Sequence, residues 1–83
     1  MIYEVDWEPA AVDLASRYLM DDPGGLSVVL TAVDSLAEDP RPDSTFPLGA
    51  TGMLRLRAGR YRVVYQIDDA TRTVSVMHVG RRA

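Results

Sequence analysis

The sequence predicts an α+β fold, in which a short first strand and a helical hairpin precede an antiparallel meander, with the hairpin packed on one face of the sheet. Three observations predict it. Apolar residues recur at helical spacing through the first half of the chain and shift to a period of two from Met53 onward. Proline and glycine gather at Pro23-Gly24-Gly25 and at Pro40, Pro42 and Pro47, between the periodic stretches. Finally, 83 residues with 47% apolar side chains suffice for one core and no more, so residues 1–83 are expected to form a single domain.

Each element follows from its local pattern. Ile2, Val5 and Trp7 interleave with Glu4, Asp6 and Glu8, which suits a short strand with one buried face. Pro9 marks a helix start, because its missing N–H has no intrahelical partner to lose in the first turn. Ala11, Leu14, Ala15, Tyr18 and Leu19 then form one apolar stripe, and Leu26, Val29, Leu30, Val33 and Leu36 form a second. Asp21-Asp22-Pro23-Gly24-Gly25 separates the two, so the helices should fold back on each other. The three prolines of residues 40–50 predict an irregular connector. Beyond it, Leu54 and Leu56 alternate with Arg55 and Arg57, and Tyr61, Val63, Tyr65 and Ile67 alternate with Arg60, Arg62, Val64 and Gln66. Turns at Ala58-Gly59 and at Asp68–Thr71 join these strands to a third, RTVSVMHV, rich in β-branched residues.

Composition narrows the chemistry. With no cysteine, thiolate catalysis and a disulfide framework are excluded. The acidic start MIYEVDWEP is unlike a signal peptide, and no apolar run approaches the roughly 20 residues of a membrane span, so a soluble, cytoplasmic protein without membrane contact is expected. The net charge of −3 conceals a division at Thr51: two arginines face ten carboxylates before it, and seven arginines face two aspartates after it. All nine basic residues are arginine. Such asymmetry suits a surface that meets a polyanion, although a helical half and a sheet half could also neutralise each other.

Alternation places Arg55 and Arg57 on one side of their strand and Arg60 and Arg62 on one side of the next. Like charges facing each other across strands destabilise a sheet, a cost that a polyanionic ligand would remove. Guanidinium groups bind phosphate bidentately and stay charged at physiological pH. Tyr61 and Tyr65 fall on the opposite parity and are expected in the core with satisfied hydroxyls.

The stretch LRLRAGRYRVVYQIDD, followed by VMHVGRR, resembles the sheet half of the RelE toxins of bacterial type II toxin–antitoxin systems. The element order and the EDPRP that closes the second helix agree along nearly the whole chain. The resemblance implies a RelE-like fold and a small endoribonuclease that cuts messenger RNA in the ribosomal A site, without a cofactor or metal. It also implies inhibition by a RelB-like antitoxin, which would mediate any contact with operator DNA. Arg62 in the Tyr-Arg-Val-Val-Tyr core and Arg82 after Val79-Gly80 match the family's catalytic arginines. Arg55 matches a basic residue that holds the RNA, Arg57 a further backbone contact, and Arg60 and Arg81 complete the expected RNA-binding set.

Many members carry a catalytic tyrosine a few residues beyond the Val-Gly-x-Arg motif, a position past Ala83 here. His78, the only histidine, is the substitute for proton transfer, since imidazole titrates near neutrality. Its first reading remains a half-exposed strand residue bonded to backbone, with proton transfer the alternative. Two alternatives accompany the nuclease: a weakened relative acting through antitoxin binding and operon repression, and a ParE-like gyrase inhibitor. The antitoxin is expected to present an amphipathic helix, and the acidic first half of this chain would meet it only through a basic segment.

Overall fold

The computed structural model describes residues 2–82. A five-stranded sheet is formed by β1 (Glu4–Trp7), β2 (Thr45–Pro47), β3 (Leu54–Ala58), β4 (Tyr61–Asp68) and β5 (Thr73–Arg81), in the order β1-β5-β4-β3-β2. Helices α1 (Pro9–Asp21) and α2 (Pro23–Ser35) pack on one face, α1 against β5 and α2 against β3 and β4. This is the expected α+β arrangement, with the hairpin broken at Asp22. That residue caps α2, its carboxylate accepting from the Gly25 N–H at 3.1 Å. No helix among the described residues is long and apolar enough to cross a membrane.

The apolar stripes of both helices meet the inward residues of the meander. Ala11, Leu26, Val29, Val33 and Leu36 are buried against Leu56, Ala58, Tyr61, Val63, Tyr65, Val74, Val76 and Val79. Both tyrosines sit in the core with their hydroxyls satisfied, as their parity requires. Tyr61 donates to Asp22 at 2.9 Å and Tyr65 to the Pro40 carbonyl at 2.6 Å.

The sheet departs from the sequence reading in two places. Thr45–Pro47, within the expected irregular connector, adds an edge strand that pairs antiparallel with β3. Proline is tolerated there because an edge strand leaves one row of its backbone groups unpaired. The second departure is β1, which lies parallel to β5 with Val5 opposite Val74, so the sheet is mixed rather than wholly antiparallel. The helical hairpin carries the chain across to the start of the antiparallel run, as a parallel pair requires. β1 thereby covers an edge of β5 that would otherwise stand open.

Candidate functional site

Helices cover only the inward face of the sheet, and the other face collects the arginines. Arg57 on β3 lies directly opposite Arg62 on β4, and Arg55 lies opposite Val64 one row away. Since the neighbouring Leu56 and Val63 are buried, these guanidinium side chains project to the open side. Among the described residues none of Arg55, Arg57, Arg60, Arg62 and Arg82 has a carboxylate within ion-pair distance. The acidic helices therefore form no ion pair with this group, and Arg57 and Arg62 retain the cross-strand repulsion that the pattern implied.

Arg60 stands apart from Arg62. The hairpin closes at Ala58 and Tyr61, one residue later than the sequence suggests, which places Arg60 in the two-residue turn after Gly59. Gly59 has φ of +62° and Arg60 is not in the left-handed region, the pattern of a turn with glycine at its first central position. The Arg82 N–H donates to the Arg60 carbonyl at 2.7 Å, so the β4–β5 ladder carries Arg82 to the same end of the sheet.

His78 reaches this face through a bulge in β5. Tyr65 pairs with Val76, and the preceding residue Val64 pairs with His78, so Met77 is the extra residue. The insertion reverses the parity of the strand: Val76 and Val79 are both buried, and His78 is exposed beside Val64 on the open side. Gly80, opposite Arg62, gives the imidazole room. A β-carbon at Gly80 would stand 3.3 Å from His78 Nε2, so the ring leans toward the Arg62 row. His78 has no side-chain hydrogen bond among the described residues, and the expected bond to backbone is not made.

Arg81 does not join the other arginines. The same bulge turns it to the helix side, where it pairs with Asp21 and stacks 5.0 Å from the centre of the Tyr18 ring. The Asp21 bond, followed by the Tyr61 hydroxyl, holds the guanidinium still more firmly protonated than usual. Tyr18 and Tyr61 meet edge to face at 5.3 Å. Burial, then the Asp22 carboxylate, raises the Tyr61 phenol. The Gly25 N–H first, then Tyr61, lowers the Asp22 carboxyl, to which Arg60 and Arg81 add their charge. This network fastens the end of β5, and with it the backbone of Arg82, to the turn between the helices.

A second surface feature lies on the helical layer. Trp7, Val12, Ala15, Leu19, Leu26 and Leu30 line an open apolar groove of about 200 Å³, with Ser16 as its one hydroxyl. Val12, Leu19 and Leu30 are exposed along it. Sequence periodicity placed Leu19 and Leu30 on the apolar stripes and gave no sign of this groove.

Residues 26–83 match the sequence model of the family described as "ParE toxin of type II toxin-antitoxin system, parDE". The chain belongs to the RelE/ParE toxin superfamily. It is a toxin of a type II toxin–antitoxin system. Among curated proteins none matches the chain. Solved structures agree over nearly its whole length. A chain of the toxin–antitoxin complex RelBE2 from Mycobacterium tuberculosis is similar at 30% identity with a TM-score of 0.77, covering 99% of this chain and 100% of its own. A chain of the E. coli RelBE complex is 25% identical, with a TM-score of 0.71 and 98% of each chain covered. The archaeal RelE–RelB complex from Pyrococcus horikoshii aligns at 22% identity and a TM-score of 0.84, over 100% of this chain and 98% of the other, and shows the fold. This toxin thus presents, among its described residues, an arginine surface without ion-pair partners on one side of its sheet and an apolar helical groove on the other.

Proposed function

We propose that this toxin is a ribosome-dependent endoribonuclease that cuts messenger RNA in the ribosomal A site and is held inactive by a RelB-like antitoxin. The observation that carries the reading is the juxtaposition of Arg57 and Arg62 on an open sheet face, without carboxylate partners, beside an exposed His78. Cleavage by the ribose 2′-hydroxyl forms a bond from O2′ to phosphorus and breaks the bond to O5′, leaving a cyclic phosphate and a free 5′-hydroxyl. Arg62 and Arg82 stabilise the charge on the five-coordinate phosphorus, a role that fixed cations perform well in a site shielded from water. His78 takes the proton of the 2′-hydroxyl or returns one to the leaving O5′. Arg55, Arg57 and Arg60 hold the flanking backbone, and Arg81 serves as the anchor of Arg82.

The antitoxin covers the apolar groove of the helical layer with the apolar face of an amphipathic helix. Structures of the RelE and YoeB neighbours were solved as complexes with their RelB and YefM antitoxins, which supports this partner.

A gyrase-inhibiting activity is the second reading, favoured by the ParE description of the matching family. Induced expression in a bacterial host distinguishes the two. Growth arrest with cuts inside translated messages, lost in a folded Arg62→Ala variant, is the expected outcome, and a DNA-damage response in place of message cleavage overturns it. Normal growth at full expression would leave a protein that acts through its antitoxin and operon alone.

A further inference from the structure

The sheet row that carries Arg55 begins at its edge with an aromatic ring. Phe46 on β2 lies directly opposite Arg55, points to the same open face, and is 47% exposed. Its neighbours Thr45 and Pro47 pair with Leu56 and Leu54 and turn toward the helices, so the ring is cut off from the core. Opposed residues in a sheet hold their β-carbons about 5 Å apart, which brings one guanidinium within reach of whatever lies on the ring. Beyond Arg55 the same face continues with Arg57 and Arg62. An apolar protein helix laid across this row would bury unpaired cations along with the ring. A nucleotide instead offers a flat base to the ring and a phosphate to the guanidinium at the spacing of one residue pair.

We propose that Phe46 is a base-stacking residue: it stacks on an unpaired base of the RNA strand whose adjoining phosphate Arg55 holds. This rests on the RNA reading of the open face and adds to it a sequence-tolerant clamp on one side of the scissile phosphate. A stacked flanking base stabilises ground state and transition state alike, so its loss raises KM and leaves kcat nearly unchanged.

Cleavage of messages on ribosomes stalled with an open A site tests the assignment. Phe46→Ala should raise KM roughly tenfold, the usual scale for losing one base–aromatic stack. Phe46→Trp should restore KM and Phe46→Leu should not, since leucine keeps the apolar volume without the flat ring. Thermal melts of the three variants should coincide with that of the wild type. Equal KM for wild type and Phe46→Ala overturns the inference while the nuclease reading stands. A Phe46→Ala variant that cleaves normally and loses only antitoxin affinity overturns it too, and assigns the ring to the protein partner. Should the wild type cleave no message, the nuclease reading and the stacking role fall together.

Discussion

His78 and Gly80 form a pair in which the smaller residue determines the reach of the larger. The imidazole leans into space that exists because Gly80 has no side chain, and Arg62 lies across the strand from that space. His78→Gln should therefore slow cleavage about a hundredfold, on the scale of a lost proton-transfer group, with the melting temperature unchanged. Gly80→Ala should slow it as well by displacing the ring, and the double variant should be no slower than His78→Gln alone. An unchanged rate for His78→Gln would return the residue to a purely structural place. The sequence disclosed the residue type and missed its direction. Strict alternation from Val74 and Val76 carries His78, Gly80 and Arg82 into the core and Arg81 out of it. One extra residue at Met77 reverses all four, and no local pattern announces a bulge.

Among the elements, those with an extended pattern were legible and those fixed by distant partners were not. Both helices and the three long strands follow from periodicity. β2 is three residues long and ends in a proline, too short to show alternation. The turn at Gly59 and Arg60 was displaced by one residue because the conformation of glycine, not its position in the sequence, decides where the hairpin closes. Carboxylates tie the irregular segments to the sheet in two places. Asp22 caps α2 and receives the Tyr61 hydroxyl, while Asp69 receives Arg41 and the Tyr3 hydroxyl. The Gly25 N–H in the first case and Arg41 in the second hold these carboxyls below their ordinary values. A group depressed in the folded state stabilises fully above its unfolded value, and that contribution is lost as the pH falls from about 3.9 through the lower folded value. Urea midpoints measured from pH 7 to 3 should fall less steeply for Asp22→Asn and Asp69→Asn than for the wild type. Parallel curves would show that neither carboxylate is linked to folding.

Across the whole molecule the charges are divided unevenly. Ten of the twelve carboxylates precede Thr51, and among the described residues Arg55, Arg57 and Arg62 on the open face of the sheet have no carboxylate within ion-pair distance, so a net charge of −3 coexists with a local cationic field. RNA binding should weaken steeply with salt, and Arg57→Ala should reduce the slope of log affinity against log salt by about 0.7, the value for one phosphate on a single strand. A slope equal to that of the wild type would remove Arg57 from the backbone contacts. The division of charge was legible in the sequence at Thr51. That Arg81 finds Asp21 across this division while Arg55, Arg57 and Arg62 stay without such a partner was not, because it depends on the sheet turning those three away from the helices.

The parallel pairing of β1 with β5 bears on the order in which the protein is made. Its first strand emerges from the ribosome early and must wait for Thr73–Arg81, the strand that also carries His78 and delivers Arg82. Contacts this distant along the chain form late in folding. The sheet is completed, and His78 and Arg82 join the arginines of β3 and β4, only as β5 docks between β1 and β4. A chain in which Thr73–Arg81 has not yet docked has neither a closed sheet nor the row that holds His78 and Arg82, so the candidate site matures with the last pairing of the sheet.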